Sequence, residues 1–363
     1  MARSLLKRIR QGIKLPIQMA YAWAAALPLD RRRRTPRDLD GLGPRQIVVS
    51  RTDRIGDMLC GSPLLLALHQ RWPEARVVVI AGPKNRSVLR GLPFVEAGPV
   101  FRRDPASWAE LAWWLGRQRF DVCVSLRAES MAGVWVAAWS AAPVRIVTHA
   151  TKAAAAFNLI LGADDAHQTT RYCHAAAILG FPPAEVRPVF VVPPEAERRA
   201  EELVPALLPS GGGPLVGVQI PHRSTKRYTV RAWPVEKVVA LVRALADDGC
   251  RVVLCGTGSE RAEAEYVQRQ APGAAVLAPA GVSLAEFAAV QSRFDLFVSQ
   301  FTGTLHLADG LGVPTVSFGT EEQVEVWGLL GERHRCIPAE RVADIPVETV
   351  LEAARSLLAS RRR

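Results

Sequence analysis

The chain has 363 residues, of which 49% are hydrophobic and 22% are charged, a composition typical of globular proteins. This length exceeds what one hydrophobic core usually accommodates, so two domains are expected. Its net charge is +11, but residues 1–37 contribute +9 and residues 361–363 contribute +3, which leaves about −1 for residues 38–360. A nearly neutral body argues against nucleic-acid binding, which requires a basic face on the folded domains.

The first forty residues, 1–40, are a basic amphipathic segment. This pattern is typical of a short interfacial helix on anionic lipid, and it predicts a cytoplasmic protein held peripherally on the inner membrane. A disordered basic arm is one alternative. A signal peptide is another, although Pro16 and Gln18 interrupt its apolar stretch, and no run is long enough to span a bilayer. Apolar residues at near-helical spacing carry the pattern: Leu5, Leu6, Ile9, Ile13 and Ile17.

The six cysteines are scattered along the chain, and none of them forms a C-x-x-C pair. This distribution indicates neither a zinc site nor a disulfide framework. The predicted compartment is therefore reducing.

Apolar strands alternate with helices in the first half, which indicates a parallel sheet covered on both faces. This half is assigned to an N-terminal Rossmann-like domain, residues 41–190. A stretch with five prolines, 181–195, follows it as a linker. Strands are predicted at 45–51, 75–82 and 120–126, and helices at 56–72 and 107–118.

The alternation restarts after the linker, in a C-terminal Rossmann-like domain of residues 191–345. Residues 346–363 are a final helix and a basic tail. The predicted fold is α/β, with two doubly wound domains facing each other across a cleft; ligands in such sheets bind beyond the carboxyl ends of the strands. Strands are predicted at 214–220, 250–256, 294–300 and 313–319, and helices at 234–249, 259–270, 283–293 and 303–312.

The first candidate site is "RTDRIGDMLCGSP", residues 51–63, where a strand ends and a helix begins. The helix dipole favours the charged form of Asp57, which is then able to accept a proton. A structural alternative is that Asp57 only caps the helix. Arg51 and Arg54 flank the turn and are suited to orient an acidic ligand, and Arg127 directly follows the third predicted strand.

Two further candidate segments lie in the second half. "PHRSTKRYTVRAWP", residues 221–234, is rich in hydroxyl and cationic donors suited to a diphosphate: Ser224, Thr225, Lys226 and Arg231. A solvated basic loop is the alternative for that segment. "CGTGSERAEAE", residues 255–265, is a strand, a G-x-G turn and a helix, in which Glu260 either accepts hydrogen bonds from a ribose or complements the helix dipole.

The last candidate is "VSQFTGTLH", residues 298–306. Thr302, Gly303 and Thr304 open a helix and present N–H groups and hydroxyls to an anion. His306 lies on that helix, where a packing role is the alternative. No metal motif stands out, and no cofactor is predicted.

Together, the motifs resemble the lipopolysaccharide heptosyltransferase family, glycosyltransferase family nine, from about residue 45 to residue 330. The segments that carry the resemblance are "IGD" with Pro63, "RAWPVEKVVALV", "GTGSERAEAE" and "FVSQFTGTLHLADGLGVPTVSFG". The resemblance implies a GT-B enzyme that works without a metal, in which the domain of residues 41–190 binds the acceptor and the domain of residues 191–345 binds the nucleotide-sugar. It would transfer heptose or a related sugar from a nucleotide-sugar donor to lipopolysaccharide or another lipid-linked glycan, with inversion of the configuration at the anomeric carbon.

The resemblance also implies roles for individual residues. Asp57 matches the catalytic base, Glu260 a ribose ligand, and Thr302 with Gly303 the diphosphate contacts. His306 matches the histidine of the following helix. Arg231 occupies the place of a lysine, for which Lys226 is a substitute, and Thr304 and Ser224–Lys226 complete the donor set. Arg51, Arg54 and Arg127 are assigned to the acceptor.

Phe301 departs from the family, which has aspartate at this position. An aromatic ring cannot accept hydrogen bonds from sugar hydroxyls, so the donor is unusual, or it binds differently, or activity is lost. A non-catalytic GT-B paralogue that binds nucleotide or glycan as a scaffold is therefore the main alternative. A sugar-nucleotide epimerase of similar shape is a third.

Overall fold

The chain divides into two compact units, with the boundary between Arg187 and Pro188. Each unit holds one six-stranded sheet whose paired strands are all parallel. The computed structural model describes residues 29–30, 32–127, 130–149, 154–181, 187–207, 212–221, 232–256, 258–278 and 281–360.

The first sheet has the strand order β3-β2-β1-β4-β5-β6. Its central strands are runs of Val and Ile that are buried on both faces, as expected for a covered parallel sheet. The strands are β1 (Gln46–Arg51), β2 (Arg76–Ala81), β3 (Glu96–Ala97), β4 (Val122–Ser125), β5 (Val144–Val147) and β6 (Leu159–Ile160), and the helices are α1 (Ile55–Arg71), α2 (Pro105–Leu115), α3 (Met131–Trp139) and α4 (Gln168–Ile178).

Alternate residues of these strands point to opposite faces of the sheet. Val48 and Val78 pack with Leu111 of α2 and Val134 of α3 in one apolar cluster. Helices α1 and α4 pack against each other. The unit is therefore doubly wound, with helices as well as strands contributing to its core.

The second sheet has the order β12-β11-β10-β7-β8-β9. Counted from the first strand of each unit, both sheets read 3-2-1-4-5-6, the Rossmann order. The strands are β7 (Leu215–Gln219), β8 (Arg251–Cys255), β9 (Ala275–Leu277), β10 (Leu296–Gln300), β11 (Thr315–Thr320) and β12 (His334–Ala339). The helices are α5 (Pro194–Leu207), α6 (Val235–Asp247), α7 (Arg261–Gln270), α8 (Leu284–Gln291), α9 (Gly303–Gly310), α10 (Glu321–Trp327) and α11 (Val347–Ser360).

Helix α6 forms because its apolar residues recur every three or four positions and face the sheet. Residues of the last helix, α11, pack into the same cluster as α6, with Val316 and Phe318 of β11. On another side of the unit, Phe294 and Phe297 pack with residues of α5 and α8. The C-terminal helix is thus part of the second unit's core.

The predicted α/β class with two doubly wound units is confirmed. The sequence-based assignment did not include five strands, namely β3, β5, β6, β9 and β12. Four of them are edge strands, namely β3, β6, β9 and β12, and three have only two or three residues, too short to show a period of their own. Within the described part of the chain, no helix has both the length and the hydropathy of a membrane span.

Each sheet reverses its strand order at one point, between β1 and β4 in the first unit and between β7 and β10 in the second. Loops that leave neighbouring strands diverge at such a reversal, so a ligand can approach the carboxyl ends of the strands. The candidate residues after β1 and β10 lie at these two points.

Candidate functional site

The turn after β1 is held by a buried amide. The side chain of Asn85 donates from Nδ2 to the Arg51 carbonyl at 3.0 Å and accepts at Oδ1 from the Gly82 N–H at 2.8 Å. A Cβ at Gly82 would lie 2.5 Å from the Thr52 carbonyl oxygen, so only glycine allows these two chain segments to approach. The carboxyl ends of β1 and β2 are therefore locked in place beside the start of α1.

Asp57 lies in the first turn of α1, which begins at Ile55. Its Oδ2 accepts a hydrogen bond from the Arg54 N–H at 3.2 Å, so the carboxylate does cap the helix, as one of the two sequence interpretations expected. Its Oδ1 accepts from Nη2 of Arg51 at 2.8 Å. The side chain is 18% exposed and so remains accessible to solvent.

Arg51 is the residue that fixes this carboxylate. Its side chain is only 3% exposed. Nη1 donates to the hydroxyl of Tyr172 at 2.7 Å and to the carbonyl of Leu126 at 3.0 Å, and the Tyr172 hydroxyl donates to the same carbonyl at 2.6 Å. The guanidinium thus spans α1, the end of β4 and α4, and it is held rigidly from two sides.

The charges around Arg51 are balanced locally. Nε of Arg51 lies 3.4 Å from Oδ2 of Asp53, and Oδ1 of Asp53 accepts from Nη1 of Arg127. Burial by itself lowers the pKa of Arg51, but Tyr172, Asp57 and Asp53 together raise that pKa above its usual value. Burial also raises the pKa of Tyr172, which therefore remains a neutral phenol. Two arginines and two aspartates form a charge-neutral network.

The three arginines assigned to the acceptor lie in different environments. Arg51 is buried, whereas Arg54 is exposed and the Arg127 side chain is 55% exposed. Tyr172 and Asp53 were missed by sequence reasoning. Tyr172 lies on a helix 121 residues away from Arg51, and no local pattern marks it as a partner.

In the second unit, a chain of hydroxyl groups connects the end of β10 to the start of α9. Oγ1 of Thr302 lies 3.2 Å from Oγ of Ser299 and 2.9 Å from Oγ1 of Thr304. Thr304 in turn donates to Oε1 of Gln219 at 2.9 Å. Because these hydroxyls bond to side chains, the first N–H groups of α9 from Gly303 onward keep their capacity to bind an anion.

Gln219, the last residue of β7, connects two predicted segments that are distant in sequence. Its Nε2 donates to the Cys255 carbonyl at 3.0 Å, at the end of β8, while its Oε1 accepts from Thr304. The carboxyl ends of β7, β8 and β10 are therefore brought together. Sequence reasoning missed Gln219, although a polar residue at the end of the apolar strand "LVGVQ" was a usable signal.

Glu260 closes a 3₁₀ turn, Gly258–Glu260, and is the N-cap residue of α7. Its side chain is buried. A Cβ at Gly256 would lie 3.0 Å from Cβ of Glu260, so this glycine permits the turn to close tightly against the end of β8. The structure thus places Glu260 beside the strand that Gln219 contacts.

His306 is buried on α9, and its ring centroid lies 6.0 Å from that of Trp327 in an edge-on arrangement. This contact is the packing role that was one interpretation of the histidine. Further along α9, Oδ1 of Asp309 lies 3.2 Å from Nε2 of His334 on β12. The helix that carries the threonines is therefore anchored along its length.

Phe301 follows β10, and its ring lies directly over the backbone of Gly319 at the end of β11. A Cβ on Gly319 would lie 2.5 Å from Cδ2 of the ring. The side chain is partly exposed beside Thr302. The adjacent Gln300 accepts at Oε1 from the Trp233 N–H at 3.1 Å.

Four predicted donor ligands, Ser224, Thr225, Lys226 and Arg231, lie outside the described residues, as do residues 1–28. In the part of the chain that the structure covers, no group of three or more His, Cys, Asp or Glu side chains is placed to hold a metal ion.

A family model, glycosyltransferase family 9 (heptosyltransferase), matches residues 108–349. No curated protein matches the sequence. Solved structures resemble the chain over nearly their whole length, and three of them serve as examples. The glycosyl transferase family 9 protein of Veillonella parvula has a TM-score of 0.75 at 17% identity, covering 88% of this chain and 98% of that one.

The second is ADP-heptose lps heptosyltransferase II of E. coli, with a TM-score of 0.70, 20% identity, and coverage of 88% and 100%. The third is the E. coli heptosyltransferase WaaC with ADP, with a TM-score of 0.69, 17% identity, and coverage of 86% and 99%. At these identities the likeness concerns the fold, which is GT-B.

Proposed function

Because the chain belongs to glycosyltransferase family 9, the heptosyltransferase family, we propose that it transfers heptose or a related sugar from a nucleotide-sugar to lipopolysaccharide or another lipid-linked glycan. The family resemblance of the sequence motifs and the enzyme class, a glycosyltransferase of the heptosyltransferase type, are confirmed. The observation that carries the finer proposal is the Asp57 carboxylate, fixed by a buried arginine at the carboxyl edge of the first sheet.

Asp57 is proposed as the general base of an inverting, metal-independent transfer. A carboxylate offers about four lone-pair positions, and the two observed hydrogen bonds leave positions for an acceptor hydroxyl. That oxygen attacks the anomeric carbon while its proton passes to Asp57. The bond from the anomeric carbon to the diphosphate oxygen breaks, and its electron pair leaves with the diphosphate.

The donor is proposed to bind in the second unit. The N–H groups at Gly303 and the hydroxyls of Thr302 and Thr304 suit the diphosphate, because a helix N-terminus is favourable for an anion. Glu260 is proposed for the ribose and His306 for the same donor site. The proposed diphosphate ligands Ser224, Thr225, Lys226 and Arg231 complete this set.

The three arginines assigned to the acceptor differ in their burial. Arg54 and Arg127 are exposed and suited to acidic groups of a glycan acceptor. Arg51 was assigned to the same role, and that role stays a prediction. Its burial and its bonds to Asp57, Tyr172 and Leu126 favour a positioning role, in which it orients the base.

We also propose that the protein works at the cytoplasmic face of the inner membrane, to which the basic residues 1–40 attach it. The scaffold alternative rests on Phe301, whose ring lies over Gly319. An aspartate at position 301 would accept hydrogen bonds from sugar hydroxyls, and the ring cannot. Donor binding separates the two functions.

The decisive experiment is a calorimetric screen of ADP-, GDP-, UDP- and CMP-sugars, followed by a transfer assay with the variant Asp57→Asn. The variant keeps the shape of the side chain but removes its basicity, so transfer should fall by about 100-fold or more. Donor affinity should be unchanged. Retained transfer in the variant would contradict the base assignment, and failure of all four nucleotide classes to bind would favour the scaffold.

A further inference from the structure

The outward face of α2 is apolar. Trp113, at its centre, is 59% exposed. Glu110 is the only acidic residue of the helix. A surface helix normally carries charged and polar residues on the side that faces water. The exposed residues from this helix to the turn after it are Pro105, Ala106, Ala109, Glu110, Trp113, Gly116 and Arg117.

Further tryptophans lie on α2 and on the neighbouring helix α3, where they pack against the apolar cluster of the unit. Trp108 of α2 lies 5.1 Å from Trp135 of α3, measured between ring centroids, and Trp135 lies 4.2 Å from Trp139 in an edge-on arrangement. With Trp113 and Trp114, two adjacent helices therefore carry five of the nine tryptophans of the chain. Tryptophan is the side chain most typical of the membrane–water interface, because its ring is apolar and its N–H is polar.

Cations lie beside the tryptophans. The guanidinium carbon of Arg117 is 3.9 Å from the centroid of the Trp113 ring. Three more arginines near the two ends of α2 are exposed, namely Arg102, Arg103 and Arg119. Across residues 101–119 the four arginines outnumber the two acids, Asp104 and Glu110. The charge of this surface is complementary to anionic phospholipid rather than to a cationic partner.

The basic N-terminal segment joins the folded unit on the same side of the sheet. Leu29 packs against the apolar cluster that lies under α2 and α3. The carbonyl of Asp30 accepts from Nη2 of Arg145 and, at 3.3 Å, from Nδ2 of Asn158. Residues 1–28 contain five Lys and Arg and no acid. Residues 29–30 therefore enter the first unit at the side that carries α2 and α3.

We propose that the outward face of α2, centred on Trp113 and Arg117, is a membrane-contact surface that rests on anionic phospholipid. Trp113 enters the interfacial region, and the flanking arginines contact lipid phosphates. This inference concerns attachment only, and it does not depend on the identity of the donor or on the role of Asp57.

The test is co-sedimentation of the full chain with vesicles of phosphatidylcholine, with and without phosphatidylglycerol. Trp113→Ala should weaken binding to the anionic vesicles by roughly 10-fold, because the exposed ring loses its lipid contact. Arg117→Glu should weaken it as well and make the remainder less sensitive to salt. Leu330→Ala is the matched control, since Leu330 is 55% exposed but belongs to the second unit, and it should bind as the parent does.

A variant without residues 2–28 separates the contribution of the basic N-terminal segment from that of the outward face of α2. It should bind more weakly than the full chain, and Trp113→Ala should weaken it further. Equal binding by the shortened chain with and without Trp113 would overturn the proposal. The proposal would also be overturned if the parent protein is a dimer, and if Trp113→Ala dissociates this dimer without changing vesicle binding. The outward face of α2 would then be an interface between two copies of the chain. Transfer to a water-soluble acceptor should be unaffected by Trp113→Ala.

Quenching by brominated lipid gives an independent readout. If Trp113 enters the bilayer interface, Trp113→Phe should lose a distinct part of the quenching of the parent's tryptophan fluorescence. An unchanged quenched fraction would contradict the placement of Trp113. Because the Trp113 side chain is mostly exposed, Trp113→Ala and Trp113→Phe are both expected to unfold at the same temperature as the parent protein.

Discussion

The hydroxyl of Tyr172 lies 2.7 Å from Nη1 of Arg51, inside the first unit. The same guanidinium reaches Oδ1 of Asp57 at 2.8 Å through its other terminal nitrogen. A neutral phenol therefore contacts one side of a buried cation whose other side contacts a carboxylate. Because both contacts are made by one planar group, a change at Tyr172 is transmitted to the orientation of Asp57.

The first prediction concerns Tyr172→Phe. A hydrogen bond to a charged group contributes about 1.5–3 kcal/mol, so the free energy of unfolding should fall by an amount of this order. We also expect kcat to fall by roughly 10-fold, with the KM for the donor unchanged, because the base is less well oriented. Steady-state kinetics and denaturant unfolding measure the two effects.

Tyr266→Phe is the control for this prediction. Tyr266 is a partly buried tyrosine, whereas Tyr172 is fully buried, and Tyr266 lies on α7 of the second unit. It should leave kcat unchanged. If Tyr172→Phe lowers stability but not kcat, Arg51 has a structural role only, and the positioning role is wrong.

The second prediction concerns Phe301 and Gly319. In Gly319→Ala the new methyl group would meet the ring at 2.5 Å, and the partly exposed ring is expected to move outward. We expect a change in donor affinity with little loss of stability. In a Phe301→Ala background, the same Gly319→Ala change should have little effect, because no ring remains to be displaced.

The four proteins form a double-mutant cycle, in which contacting residues typically show a coupling of about 0.5–3 kcal/mol. Calorimetry with the donor found in the screen measures that coupling. Equal effects of Gly319→Ala in both backgrounds would show that Phe301 does not transmit the change to the donor.

The third prediction concerns Gly217, in the middle of β7. A Cβ there would lie 2.3 Å from Cε2 of Phe294 and 2.8 Å from Cδ2 of Phe297, and both rings are buried. Gly217→Ala should therefore lower the free energy of unfolding by about 1–3 kcal/mol. Each kcal/mol lowers the Tm of a unit of this size by about 2–4 °C, which thermal unfolding can resolve.

Gly212→Ala is the matched control in the same unit. A Cβ at Gly212 would have no atom within 4 Å. Its effect should stay within about 0.5 kcal/mol. Similar losses for both variants would mean that the contact with the two phenylalanines is not the cause.

The fourth prediction concerns thiol reactivity. Burial raises the pKa of Cys123 from 9.0 to about 12, and burial also raises the pKa of Cys255. Because the thiolate is the reactive form, neither should react in the folded protein at pH 8. Cys336 is partly exposed and should react first, and Cys336→Ser should remove that fast phase.

The sign of the linkage for Cys123 follows from the raised pKa. Its burial as a neutral thiol stabilises the fold fully below pH 9 and ceases to do so as the pH rises through about 12. Fast native-state labelling of Cys123 at pH 8, detected by mass spectrometry, would contradict its buried placement.

Local patterns in the sequence were sufficient for several structural features. The Val- and Ile-rich runs became β1, β2, β4, β7 and β8, because a continuous apolar run flanked by turn residues is compatible with a covered parallel strand. The threonine–glycine turn at 302–304 became the start of α9 for a comparable reason. These signals depend only on residues within one or two turns of each other.

Helix α3 shows where such patterns are insufficient. It was not predicted, since "MAGVWVAAW" contains no charged or polar residue and therefore no amphipathic period. It becomes a helix between β4 and β5, where its small residues and tryptophans pack on the sheet. Strands β3 and β6, with two residues each, likewise exist only because a neighbouring strand provides a template.

The sequence by itself determined the family, the alternation of strands and helices, and the positions of Asp57 and the threonine–glycine turn. The tertiary structure decided which side chains contact each other. Arg51 forms a hydrogen bond with Tyr172, 121 residues away in sequence, and Thr304 forms one with Gln219, 85 residues away. The physical reason is that hydrophobic periodicity and turn chemistry act over a few residues, whereas strand order and helix packing bring distant residues into contact.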